Sequence, residues 1–187
     1  MRCFSLSLAA AFLALALGPA LAADDGLSAA ANSTFLATYA KKPGVILRPD
    51  GLEYRVLHSG FGRRVGPDDI ARIYYSAQLI NGKVIDGTSP GLPVSLTVNG
   101  LIRGLSDALQ LMHEGDRWQV LIPPNLGFGV RSGNAIPPGQ ALLFELTVLS
   151  TIPASQVSAD TAAASISTFN REGGTSRESG VILNIPQ

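Results

Sequence analysis

The chain is poor in reactive side chains. Its 187 residues include one cysteine, Cys3, and two histidines, His58 and His113. A lone thiol allows no disulfide within the chain, and neither histidine has a Cys or His partner nearby in sequence, so the usual zinc-site spacings are excluded. Both histidines read as surface residues rather than ligands. An excess of either charge is also missing: 14 Lys+Arg stand against 14 Asp+Glu. With no basic stripe, nucleic acid is not an expected partner. No Gly-x-Ser-x-Gly element marks a nucleophile elbow. Gly127-Phe128-Gly129 lacks the third glycine and the parallel βαβ setting of a dinucleotide loop, and reads as a loop entering a turn. No cofactor and no metal are expected. Long apolar runs are absent as well. The longest, residues 6–17, falls short of the roughly 20 residues that a spanning helix needs.

That short run sits in a telling context. Arg2 precedes it, and Ala20-Leu21-Ala22 follows with the small-x-small pattern of a signal peptidase site. Residues 1–22 therefore read as a secretory leader, cut between Ala22 and Ala23. Cleavage would remove Cys3 and Arg2, leaving no thiol, no membrane anchor and a net charge of −1 (14 basic residues less Arg2, against 14 acidic).

Residues 24–42 carry Leu27, Ala30, Ala31, Thr34, Phe35, Thr38 and Tyr39 at helical spacing, and Pro43-Gly44 stops the pattern. Asn32-Ser33-Thr34 matches a glycosylation sequon with no supporting context. From residue 45 short β-type runs recur between turn signals. They cover 52–57, 70–80, 83–85, 94–98, 118–122 and 141–149, with a Gly-rich polar loop over 59–69. Asn81-Gly82 is a strong hairpin signal. One helix interrupts them, its face marked by Leu105, Ala108, Leu109 and Met112, with Gly115 placed to end it. The expected fold class is α+β, an antiparallel sheet wrapped on one short amphipathic helix. Residues 152–187 are rich in Ser, Thr, Ala and Gly and read as a disordered tail. Val181-Ile182-Leu183 and Ile185-Pro186 form its one apolar cluster.

The order of motifs then becomes specific. Ile73-Tyr74-Tyr75-Ser76-Ala77 and Asn81-Gly82-Lys83-Val84-Ile85-Asp86 resemble the Tyr-bearing strand and Asp-ending hairpin of FKBP-type peptidyl-prolyl cis–trans isomerases. Leu101-Ile102-Arg103-Gly104-Leu105 resembles that family's turn into its helix. Ala108-Leu109-Gln110-Leu111-Met112 with Gly115-Asp116-Arg117-Trp118 looks like its Mip-like bacterial branch. Ile122-Pro123-Pro124 through Phe128-Gly129, Ala135-Ile136-Pro137-Pro138 and Leu142-Leu143-Phe144-Glu145-Leu146 resemble its remaining loop, Ile-Pro-Pro flap and closing strand. The resemblance covers residues 44–151, and residues 35–45 look like the lead-in helix of the Mip-like branch without its long stalk. With the leader and tail read above, the expected organisation is a leader (1–22), a lead-in (23–43), an isomerase domain (44–151) and a tail (152–187).

Carried over position by position, the resemblance implies catalytic roles for Tyr75, Asp86 and Phe128. It implies a substrate-binding wall of Ile85, Val94, Leu101, Ile102, Leu105, Ile136 and Phe144. Tyr75 would hydrogen-bond Asp86, Ile102 would offer its backbone N–H to a substrate carbonyl, and Leu105 would form the floor. Ile85 and Val94 stand where aromatics are usual, Leu105 replaces a Trp, and Phe128 replaces a Tyr whose hydroxyl would aim at a carbonyl. One lost donor costs about 1–3 kcal/mol, roughly 5- to 150-fold in rate.

The implied chemistry suits a chain poor in reactive groups. The imide barrier of about 18–20 kcal/mol comes from partial double-bond character. The twisted transition state has lost that resonance and is less polar, so a dry apolar cleft favours it with no covalent step. The expected function is a periplasmic, exported isomerase assisting the folding of proline-containing, unfolded or partly folded polypeptides. Macrolides are a further ligand class that the resemblance implies. The alternative is a weakened, FKBP-like chaperone or peptide-binding module that keeps the cleft and has lost most turnover.

Overall fold

The computed structural model describes residues 26–130 and 136–156. The expected leader and residues 157–187 of the expected tail lie outside them.

Ser28 begins the first helix. Its hydroxyl accepts from the Ala31 amide at 3.2 Å, satisfying one of the N–H groups that a helix start leaves unpaired. The helix, α1, spans Ala29–Tyr39, well inside the expected 24–42. The expected stripe is also rotated. Asn32 and Tyr39 are buried, Phe35 and Leu36 are half-buried between them, and Ala30, Thr34 and Thr38 face solvent. Ala and Thr gain little from burial, so the larger rings and Leu36 set the buried face.

Among the described residues, seven strands form one antiparallel sheet. They are β1 (Val45–Leu47), β2 (Glu53–His58), β3 (Ile70–Leu79), β4 (Val84–Gly87), β5 (Val94–Thr97), β6 (Arg117–Ile122) and β7 (Leu142–Ile152). The order is β1-β2-β6-β7-β3-β4, with β5 also on β3. The three-residue β1 escapes a reading by alternation, because its place comes from pairing Val45 with Arg55 across a tight turn. β7 runs on to Ile152 and a 3-10 turn follows over Ala154–Gln156, so regular structure enters the stretch read as tail. The pairing of Ile152 with Ile70 holds it there.

Alternation divides the sheet into two faces. Ile73, Tyr75, Ala77, Val120, Phe144, Leu146 and Val148 point to the main core. The second helix, α2 (Arg103–Leu109), covers that face with Leu105, Ala108 and Leu109 fully buried. Gly104 permits the approach, since a Cβ there would lie 2.5 Å from Ile122 Cγ2. On the opposite face, Tyr39 of α1 packs with Leu121 and Ala141 in a second small core that Phe35, Leu36, Val45, Ile80 and Leu143 extend.

The helix end differs from expectation. α2 stops at Leu109, and Leu111 and Met112 continue as a tight turn through N–H bonds to Ala108 and Leu109 carbonyls at 3.0 and 2.9 Å. Gly115 instead turns the chain into β6. It has φ +90°, and the Asp116 amide donates to the His113 carbonyl across it at 3.0 Å. The 59–69 loop is firmly tied. Gly60 N–H and His113 N–H each donate to the Asp116 carboxylate at 2.6 Å, and Arg63 pairs with Asp69.

Candidate functional site

The site begins with a gap in strand pairing. One edge of β3 meets β7 along its whole length. Its other edge is shared: β5 pairs residues 70–73 and β4 pairs residues 76–78. Tyr75 falls at the break. Thr88 completes its backbone, donating to the Tyr75 carbonyl at 2.9 Å and accepting from its amide through Oγ1 at 3.2 Å. The β4–β5 connection therefore swings away from β3 at Tyr75. No sequence signal marks Thr88 for this task, because the gap arises only when both strands pair.

Asp86 lies opposite Ala77, and Ala77 lies opposite Phe144 on its other side. Tyr75 is two residues away on the same face, the diagonal distance that long side chains can bridge. Its hydroxyl donates to Asp86 Oδ2 at 2.7 Å, and the Gly87 amide donates to Oδ1 at 2.8 Å. Both carboxylate oxygens are thus held. Tyr75 and Asp86 are only 7% and 8% exposed. Burial raises the pKa of the Tyr75 phenol far above its ordinary value, and the hydrogen bond to Asp86 and its charge add to the rise. The phenol stays a donor throughout the working pH range. The Tyr75 ring tilts against Phe144 with centroids 6.5 Å apart.

The other expected residues gather in the same apolar cluster. Leu101, Ile102, Leu105, Ile136 and Phe144 are buried in it, and Ile85, Val94 and Phe128 pack on it half-exposed. Leu126 and Leu96 also belong to the cluster, though sequence reading did not single them out. Ile102 is the residue capping α2, with extended backbone angles φ −55° and ψ 143°. Phe128 follows the turn Pro124–Leu126.

Exposure separates two groups among these residues. Leu105 and Phe144 are wholly inaccessible to water, whereas Ile85, Val94 and Phe128 offer half-exposed apolar surface at the cluster's rim. Leu105 lies beneath it, packed as core.

A sheet wrapped on one short helix, with an apolar cluster beside one buried Tyr–Asp pair, defines a class of small α+β domains. Residues 62–149 match the family described as FKBP-type peptidyl-prolyl cis-trans isomerase. The chain is 37% identical over 123 residues to the outer membrane protein MIP of Legionella longbeachae, a match covering 65% of this chain and 53% of that protein. It is 39% identical over 123 residues to the FKBP-type 22 kDa peptidyl-prolyl cis-trans isomerase of Escherichia coli K12, covering 65% and 60%. Among solved structures, FkpA from Escherichia coli superposes with a TM-score of 0.65 at 31% identity, covering 67% of this chain and 59% of that one. A peptidyl-prolyl cis-trans isomerase from Pseudomonas syringae superposes with a TM-score of 0.63 at 29% identity, covering 66% and 92%. Residues 62–149 thus form a domain of the FKBP type, and the chain is similar to Mip-like bacterial proteins over that region. It spans 53% and 60% of the two curated relatives' lengths.

Proposed function

We propose that this chain is a peptidyl-prolyl cis–trans isomerase acting on proline-containing, unfolded or partly folded polypeptides, and that it assists the folding of exported proteins. The observation that carries the reading is the Tyr75–Asp86 hydrogen bond at 2.7 Å, set in an apolar wall. That arrangement suits a reaction needing an environment more than a reagent. The apolar rim strips water from the imide and favours the less polar twisted state. Asp86, held at both oxygens, keeps a fixed negative field beside the cleft without reorienting as the imide turns. The Ile102 amide is assigned to the substrate carbonyl. The catalytic set is Tyr75, Asp86 and Phe128, and the binding set is Ile85, Val94, Leu101, Ile102, Leu105, Ile136 and Phe144. Phe128 contributes its ring alone.

A second reading has one specific observation in its favour. Phe128 carries no hydroxyl, so the aimed donor of the usual site is missing, and a peptide-binding chaperone would need only the cleft. Titrating the full chain with a prolyl tetrapeptide separates the two. Binding together with accelerated cis–trans exchange supports the enzyme, whereas binding with exchange at the buffer rate supports the module.

The proposed location is the periplasm. Residues 1–22 carry the leader pattern, and a relative is named an outer membrane protein. Among the described residues no helix is long and apolar enough to cross a membrane. Macrolides remain proposed ligands of the same cleft.

A further inference from the structure

Asn32 occupies a position on α1 where packing alone would favour an apolar side chain. It is 3% exposed. The two N–H groups of its Nδ2 are shared among the Leu27 carbonyl at 3.2 Å, the Ser28 carbonyl at 3.0 Å and Gln140 Oε1 at 3.1 Å. Its Oδ1 accepts from the Ala141 amide at 2.8 Å. Gln140, 5% exposed, donates from Nε2 to the Leu27 carbonyl at 3.0 Å and the Pro138 carbonyl at 3.1 Å. Two buried amides, 108 positions apart in sequence, interlock and hold backbone from both sides. The sequon asparagine is therefore spent inside the fold and is not available as a glycan acceptor.

The place of this network gives it meaning. It follows directly on Ile136-Pro137-Pro138. Gly139, with φ +73°, turns the chain there, and its amide donates to the Gly129 carbonyl at 2.8 Å, next to Phe128. Ile136 is buried in the cluster that holds Tyr75 and Phe144, and Leu27 packs on that cluster from the N-terminal side. The network thus joins the N-terminal segment to the stretch that carries one wall of the cleft. A fully satisfied buried polar network fixes one geometry, where apolar packing tolerates several.

We infer that Asn32 and Gln140 are positioning residues that hold the Ile136-Pro137-Pro138 segment, and through Ile136 the cleft wall, in the substrate-binding arrangement. The inference rests on the isomerase reading. Without Asn32 the Ala141 amide loses its partner, without Gln140 the Pro138 carbonyl loses its donor, and in either case the segment samples other arrangements. The binding-competent fraction falls, and apparent affinity falls in proportion. The chemical step is untouched once substrate is bound, because Tyr75 and Asp86 sit on β3 and β4.

The test uses the full chain and two variants, Asn32→Ala and Gln140→Met. Gln140→Met keeps the side-chain volume and guards against simple unfolding, and circular dichroism confirms folded protein. With a prolyl tetrapeptide, folded Gln140→Met should raise KM about three- to tenfold with kcat within about twofold of wild type. A purely structural role leaves both constants unchanged in the folded protein, and that result overturns the inference. Amide hydrogen exchange at Ala141, whose N–H donates to Asn32 Oδ1, provides a readout independent of activity: exchange at least about tenfold faster in folded Asn32→Ala supports the network as a rigid clamp, and equal rates overturn it. A wild-type chain with no isomerase activity overturns the isomerase reading itself, and with it the positioning role. Ala141 exchange then still decides whether the clamp exists.

Discussion

Phe128 brings a half-exposed ring without a hydroxyl to the apolar cluster, so on the proposed reading the polar work falls on Asp86. Replacing Asp86 with Ala removes the fixed charge and leaves the Tyr75 phenol unpaired in a buried site. The expected outcome is a fall in kcat/KM of about 10-fold or more, since a charged hydrogen-bonded group is worth about 1.5–3 kcal/mol. Phe128→Tyr restores a donor at the rim and is expected to raise kcat/KM about fivefold or more in a peptide exchange assay. Leu105→Trp is a different case. Leu105 is fully buried, so a larger ring there overpacks the core and is expected to cost about 1–3 kcal/mol in urea unfolding. On β2, Glu53 is 3% exposed, and its Oε2 has no hydrogen-bond partner among the described residues. Burial pushes its pKa up from 4.5 to about 7. The folded state then holds this proton more tightly than the unfolded chain. The stabilisation is fully present below about pH 4.5 and is lost as pH rises toward 7. Unfolding free energies measured across that window should fall by about 1–3 kcal/mol from this group. Glu53→Gln should flatten the slope, and an unchanged slope would assign it elsewhere.

Among the elements, α2 and β6 meet through Gly104. Alanine is the better helix former by up to about 1 kcal/mol, yet its Cβ would lie 2.5 Å from Ile122 Cγ2 and 3.2 Å from Leu126 Cβ. Ile122 is β-branched and stiff, so it cannot yield cheaply. Overpacking of about 1–3 kcal/mol outweighs the propensity gain. Gly104→Ala should lower the midpoint of thermal unfolding, and an unchanged midpoint would mean that α2 shifts freely. The same elements show what can be read from a linear pattern. β3 and β7 alternate strongly and were legible, as was the face of α2. The end of α2 was not, because Met112 is buried from a turn rather than from the helix, and Gly115 acts one turn later. The face of α1 was misjudged for a related reason: Ala and Thr share the helical period of Phe35 and Tyr39 but gain little from burial, and Asn32 is buried through hydrogen bonds that no hydrophobic pattern registers.

At the scale of the whole molecule, the ordered motifs were enough to place the fold, because they fall at the turns and strand ends that a sheet wrapped on one helix requires. The gathering of Tyr75, Asp86, Leu105, Ile136 and Phe144 could be expected only from the family pattern, since no local rule brings residues so far apart together. The clamp of Asn32 on Gln140 lay beyond both, being a long-range pairing of two uncharged amides. Export is tested on the intact chain. Expressed in a Gram-negative host, the soluble product should begin at Ala23 by intact mass, and retention of residues 1–22 would contradict the leader. The central claim is that an apolar cleft built around Tyr75 and Asp86 turns prolyl bonds, and two-dimensional NMR exchange on a proline-containing peptide tests it most directly. With the wild-type chain at catalytic concentration, the account predicts cis–trans exchange cross-peaks well above the uncatalysed rate, sharply weakened by Asp86→Ala in a protein that remains folded. Exchange at the uncatalysed rate with wild type, or equal acceleration by Asp86→Ala, would contradict it.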